Sequence, residues 1–181
     1  MSFPHTEQVI SCSETGFETL RALLLPYALN VVVVGNSEPL PGSFWGDPEA
    51  GLIGRQLFIR PHTPLQSALH EACHYICMDP PRRARLHTDA GGGYDEENAV
   101  CYLQILLADR LPGVGRQRMW QDMDRWGYSF RLGSARRWFE QDAEEVRQWL
   151  LEQSLIDRHG HPTGRLRQND RTVLQSGDSS P

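Results

Sequence analysis

The spacing of apolar residues changes along this chain, and each spacing predicts a different kind of element. Apolar positions at intervals of three and four residues predict helices, and these fall at residues 13–25, 64–78, 95–110, 115–126 and 134–153. Two short apolar runs bounded by turn-forming residues predict strands, at 30–34 and 56–60. We expect a hairpin or loop at residues 39–51, which are rich in glycine and proline, and a second loop at 82–95.

These elements predict one α+β domain over residues 1–157. Its core is expected at about residues 13–110, with additional helices at about 115–153. Beyond Asp157 the sequence becomes polar and rich in glycine, serine and arginine, so residues 158–181 are expected to form a disordered tail. A chain of 181 residues is long enough to bury a hydrophobic core.

The composition narrows the classes of partner. A net charge of -5 gives no reason to expect nucleic acid as the partner. The N-terminus has no basic segment followed by an apolar one, and the longest apolar run, around residues 28–34, is too short to cross a bilayer. We therefore expect no membrane partner. The four cysteines show no C-x-x-C spacing, which favours a reduced, cytoplasmic protein.

Residues 70–74, inside the predicted helix 64–78, read H-E-A-C-H and form an HExxH motif. Two histidines four residues apart lie on one helical face, so His70 and His74 can hold a single Zn²⁺. Glu71, between them, is suited to act as general base toward a metal-bound water. The motif therefore predicts a metal centre with one zinc ion.

The start of this helix has a signal of its own. Thr63 is predicted to be the N-cap, Pro64 the first helical residue and Gln66 the partner in a capping box. On the helical wheel His70 and His74 point away from the apolar stripe, which suits ligands at the wall of a cleft with the core behind them. That stripe consists of Leu65, Leu69, Ala72, Cys73 and Ile76.

An open catalytic zinc site needs a third protein ligand. Helix 95–110 offers two carboxylates, Glu96 in the apolar stripe and Glu97 beside Gln104 on the more polar flank. Because an unpaired buried carboxylate is costly and a metal ion would compensate it, we predict Glu96 as the third ligand. Glu97 is the alternative, and its simpler interpretation is a solvated charge favoured by the helix dipole.

The order of strand, HExxH helix and a later helix that opens with E-x-x-A resembles the gluzincin type of zincin metallopeptidases. Within that group it is most similar to the ImmA/IrrE-type bacterial proteases, whose third-ligand helix reads E-x-x-A-N-x-F-A-x-x-L-L. Here Glu96 opens the sequence E-E-N-A, Tyr102 takes the aromatic position, and Leu106-Leu107 take the double leucine. The resemblance covers roughly residues 30–110.

This resemblance implies a zincin-like α+β fold and a bacterial, zinc-dependent peptidase that acts on a protein or peptide substrate. It implies that His70, His74 and Glu96 hold the Zn²⁺. It also implies that Glu71 accepts the proton of the water and returns it to the leaving amine.

Other residues near the motif have weaker claims to a role. An oxyanion stabiliser is expected in peptide hydrolysis, and His87 and Tyr94 lie in the loop that could reach the site, although each is more simply an ordinary loop residue. Cys73 is expected to point into the core. Cys77 lies nearer to the histidine side and is a less favoured ligand.

Two other classes of function fit the same residues. A zinc-binding regulatory or binding domain would keep the metal and the fold without turnover. A helical scaffold with an accidental HExxH would bind no metal. The motif also does not distinguish zinc from Fe²⁺, Co²⁺ or Mn²⁺.

Overall fold

The computed structural model describes residues 9–37 and 39–168 of the chain. Within these residues a three-stranded mixed sheet and eight α-helices form an α+β fold, which confirms the predicted class. The strands are β1 (Asn30–Val33), β2 (Gly51–Ile53) and β3 (Gln56–Ile59). The helices are α1 (Cys12–Thr15), α2 (Phe17–Leu24), α3 (Leu65–Cys77), α4 (Pro80–Arg83), α5 (Tyr94–Ala108), α6 (Gly115–Trp126), α7 (Ala135–Gln141) and α8 (Glu144–Glu152).

The sheet has the order β1-β3-β2, with β1 parallel and β2 antiparallel to the central strand β3. Strands β1 and β3 agree closely with the predicted runs. Strand β2 begins in the stretch expected to be a hairpin or loop, and Gly51 explains part of its position. A Cβ atom at Gly51 would lie 1.9 Å from the carbonyl oxygen of Pro41, so only glycine allows the loop to pass this closely.

Helices α3 and α5 pack against each other at the centre of the molecule. Strands β2 and β3 contact α3, whereas α6 and α8 contact α5. The predicted apolar stripe of α3 is completely buried. The HExxH helix is therefore fixed between the sheet and α5, which leaves its histidine side as the part that can face a cavity.

The start of α3 differs from the predicted capping box. The helix begins at Leu65, and no side chain caps it. Thr63 Oγ1 instead accepts the backbone N–H of Arg60 at 2.8 Å, and Gln66 accepts the hydroxyl of Tyr128 at 2.8 Å. Backbone pairing replaces the cap, since the N–H of Leu65 donates to the carbonyl of Ile10 at 2.9 Å.

Two predicted helices are each divided in two. In the first, Gly16 with φ +89° separates α1 from α2, and Ser11 caps α1. In the second, Ser134 caps α7, and the helix ends before Asp142, whose carboxylate accepts hydrogen bonds from Arg131. The predicted helix 134–153 is thus interrupted between Gln141 and Glu144.

Residues 158–168, the first part of the predicted tail, pack back onto the helices. The backbone N–H of Arg167 donates to the carbonyl of Ile76 at the end of α3 at 3.0 Å. The guanidinium of Arg167 also lies 5.2 Å from the ring centroid of Trp149. These contacts give this segment a defined path, while residues 169–181 lie outside the described residues.

No helix in the described part of the chain has the length and apolar character needed to span a bilayer.

Candidate metal centre

The two histidines of the motif converge with one carboxylate of α5. His70 Nε2 and His74 Nε2 are 3.1 Å apart, and Glu97 reaches both rings, at 3.2 Å from His70 Nε2 and 3.3 Å from His74 Nε2. Donor atoms bound to a tetrahedral Zn²⁺ at about 2.0–2.1 Å lie roughly 3.3 Å from one another. The three side chains therefore have the separation and the donor atoms of a site that could hold one metal ion.

Gln104 fixes the orientation of His70. Its Oε1 is 3.0 Å from His70 Nδ1, and its amide nitrogen donates to the carbonyl of Gln66 at 3.3 Å. The second bond identifies Oε1 as the acceptor, so Nδ1 carries a proton and Nε2 is the ring nitrogen that faces Glu97. A hydrogen bond at the other ring nitrogen is the usual support of a metal-binding histidine.

Burial changes the charge preference of two groups in this centre. It lowers the pKa of His74, with the neighbouring His70 adding to the effect, so the ring favours the neutral form that ligates a metal. Burial also raises the pKa of Glu71 to about 7, and the nearby carboxylates of Glu49 and Glu97 act in the same direction, against His70. A carboxyl group with this pKa can both accept and release a proton near neutral pH.

Glu71 and the three convergent side chains line one cavity of about 420 Å³. Glu49 and Tyr128, which have no feature in the sequence that marks them, line it too. The ring of Tyr128 packs edge-on against His70 with centroids 5.6 Å apart, so it forms a wall of the site.

Glu96, the third ligand predicted from the wheel, has a different environment. It is buried at 7% exposure, as the wheel indicates. Its carboxylate is paired with Arg82 at 2.5 and 3.0 Å and with Arg167 at 3.2 Å. The structure thus does not bring Glu96, the predicted third ligand, to the two histidines, because its buried carboxylate is paired with arginines. The carboxylate that lies with His70 and His74 is that of Glu97, the alternative.

The candidates for an oxyanion stabiliser do not lie in the cavity. His87 is exposed and contacts Thr88, and Tyr94 is 78% exposed beside a separate groove.

Cys73 is fully buried, as expected, and so is Cys77. Burial raises the pKa of both thiols, which keeps them protonated. Within the described residues, the only group of potential ligands that converges in this way is His70, His74 and Glu97.

Comparisons with protein-family models, with characterised proteins and with solved structures found no match. The function of the site must therefore be inferred from its geometry and chemistry.

Proposed function

We propose that this protein is a zinc-dependent metallopeptidase that hydrolyses a peptide bond in a protein or peptide substrate. The observation that carries the proposal is the convergence of His70, His74 and Glu97 beside Glu71 in one open cavity. Three protein donors leave a fourth position for water or substrate, which is the arrangement of catalytic rather than structural zinc sites.

The resemblance to the ImmA/IrrE-type proteases supports the proposal with one change. The family pattern E-x-x-A falls on Glu96, whereas the convergent carboxylate belongs to Glu97, the next residue of α5. The ligand register is therefore offset by one residue from that pattern, and we propose a zincin-like arrangement in which Glu97 takes the third position.

In the proposed reaction the protein holds the ion through His70, His74 and Glu97. A bound Zn²⁺ supplies the positive charge that acidifies water and polarises a substrate carbonyl. Glu71, adjacent to His70 on α3 and facing the same cavity, takes a proton from the attacking water and gives it to the leaving amine. Tyr128 restricts the ring of His70 from one side, and Gln104 holds its Nδ1 proton.

We place this activity in the cytoplasm. All four cysteines are free thiols and buried, and proteins of oxidising compartments more often pair such residues.

Metal analysis and a hydrolysis assay together test the proposal. We expect near-stoichiometric zinc in protein purified without chelator. Glu71→Gln should retain that zinc and lose cleavage of a peptide library by about a hundredfold or more, since general acid-base catalysis contributes about 10² to 10⁴-fold. Glu140→Gln is the matched control, because Glu140 is exposed on α7 and paired with Arg136.

The possible outcomes separate the rival functions. Protein without bound metal overturns the metal centre and leaves a scaffold with an accidental motif. Bound zinc without hydrolysis of any library peptide favours a zinc-binding domain without turnover. Unchanged cleavage by Glu71→Gln would overturn the role of Glu71 alone.

A further inference from the structure

Among the described residues, four acidic side chains and no arginine line the cavity of the proposed metal centre. The inference drawn from this lining rests on the proposed peptidase function. Besides Glu71 and Glu97, the acidic residues of the lining are Glu49 and Asp89. The chain contains 18 arginines, and many of them pair with acidic side chains elsewhere in the molecule. The lack of an arginine among the lining residues therefore distinguishes this cleft from the other acidic clusters of the described residues.

Glu49 is held in place by neutral donors from two helices. Its Oε1 accepts the indole N–H of Trp126 at 2.9 Å, and its Oε2 accepts the hydroxyl of Ser67. Ser67 Oγ also accepts the backbone N–H of Ala50 at 3.0 Å. These contacts fix the direction of the carboxylate and leave its negative charge uncompensated.

Buried carboxylates elsewhere in the molecule are treated differently. Glu96 and Asp122 are the buried acids of the described residues, and each contacts two arginine side chains. Glu49, by contrast, forms no ion pair within residues 9–37 and 39–168. A fixed, half-buried carboxylate that has only neutral partners is complementary to a cation that a ligand brings with it.

Aromatic side chains complete the surroundings of this carboxylate. Phe44 and Trp45 line the cavity and are 59% and 79% exposed, with ring centroids 5.0 Å apart in an edge-to-face arrangement. Trp126, the last residue of α6, also lines the cavity. Aromatic faces attract alkylammonium and guanidinium groups, so the rim and the carboxylate favour the same kind of side chain.

We propose that the cleft selects polypeptides with an arginine or lysine side chain next to the scissile bond, and that Glu49 is the residue that determines this preference. Ser67, which Glu49 contacts, lies four residues, about 6 Å along the helix axis, before Glu71. One residue of extended chain spans about 3.3–3.6 Å, so the cationic residue lies within one or two positions of the bond. A divalent ion bound by Glu97 does not reverse this preference, because the two negative charges of Glu49 and Asp89 outweigh the single positive charge that remains on the ion.

Binding of small hydroxamates to the zinc-loaded protein tests the preference without any requirement for hydrolysis. The probes are arginine hydroxamate, its neutral near-isostere citrulline hydroxamate, and acetohydroxamate as the metal-binding group alone, each measured by calorimetry. We expect arginine hydroxamate to bind tighter than citrulline hydroxamate by about tenfold to a hundredfold, the value of a hydrogen bond to a charged group. Higher salt should reduce the difference.

Glu49→Gln is the matched variant, because glutamine keeps an acceptor for Trp126 and removes the charge. It should bind the two amino-acid hydroxamates equally, and its binding of acetohydroxamate shows whether the metal centre of the variant is still formed.

Equal binding of both probes by the wild-type protein overturns the proposal, whether or not the variant folds. A preference that survives in Glu49→Gln overturns the role of Glu49. Failure of all three hydroxamates to bind overturns the metal centre itself, and this result is distinct from the others.

Discussion

Two neighbouring carboxylates at the start of α5 have opposite surroundings. Glu96 is buried, and the guanidinium groups of Arg82 and Arg167 compensate its charge. The side chain of Glu97 is 49% exposed and faces two imidazole nitrogens. Successive residues of a helix point about 100° apart, so one turn of α5 supports two clusters of different chemistry.

The difference lies in where the positive charge comes from. In the cluster of Glu96 the chain itself supplies the positive charge, through Arg82 of α4 and Arg167 of the C-terminal segment. These ion pairs join α4, α5 and the C-terminal segment. The group of Glu97 has three ligand atoms and supplies no permanent cation of its own. The first arrangement is expected to stabilise the fold, and the second is expected to bind an ion from solution.

The largest expected effect comes from Glu97→Gln. We expect the affinity for zinc, measured by competition with a chromophoric chelator, to fall by more than about a hundredfold, since loss of an outer-shell partner alone costs about 10- to 100-fold. The free energy of unfolding of the zinc-free protein should change by less than about 0.5 kcal/mol, because the side chain is half exposed. Loss of zinc in Glu96→Gln with retention in Glu97→Gln would reverse the assignment.

Glu96→Gln should have the opposite profile. It leaves two arginines without their common partner, and breaking a buried ion pair is strongly destabilising. We expect the free energy of unfolding to decrease by about 2–3 kcal/mol, less than for a fully buried pair because both guanidinium groups are partly solvated. The melting temperature should fall by roughly 5–10 °C, while the zinc affinity of the folded protein stays within about threefold of wild type. An unchanged melting temperature would contradict this role.

Gln104→Met tests the support of His70. The substitution keeps the volume and removes the acceptor of the Nδ1 proton, so the zinc affinity is expected to fall by about tenfold. Gln104→Glu retains an acceptor oxygen and should lose less affinity, which distinguishes hydrogen bonding from packing. Equal losses in the two variants would show that Gln104 acts only through its shape.

Arg167→Lys is expected to have the smallest effect. Lysine keeps the charge near Glu96 but cannot reproduce the several guanidinium contacts or the stacking on Trp149. We expect a loss of about 1 kcal/mol in the free energy of unfolding, measured by urea denaturation. Arg165→Lys, at an exposed position two residues earlier, is the control and should be neutral.

Local spacing was sufficient to predict the fold class, strands β1 and β3, and the shared face of His70 and His74. The wheel also placed Glu96 correctly in the interior. It did not identify the two partners of Glu96, because Arg82 and Arg167 lie outside α5, 14 and 71 residues away. Spacing within one helix has no information about such contacts.

The remaining parts of the site come from segments without periodic structure. Glu49 belongs to the loop before β2, and Tyr128 follows Gly127, whose φ of +101° ends α6. Their positions depend on how loops cross the end of α3, which no periodicity describes. Gln104 is the exception, since its spacing of two turns from Glu97 puts both on one face of α5, and this signal was present in the sequence.

The long separation between Glu96 and Arg167 has a consequence for the order of synthesis. The three proposed zinc ligands have all been translated when residue 97 is added, whereas Arg167 follows Glu96 by 71 residues. At about 5–20 residues per second, this interval is roughly 4–14 s. If zinc binds these three residues as proposed, it would bring α3 and α5 together before Arg167 is translated, and the C-terminal segment would then pack over helices that are already aligned.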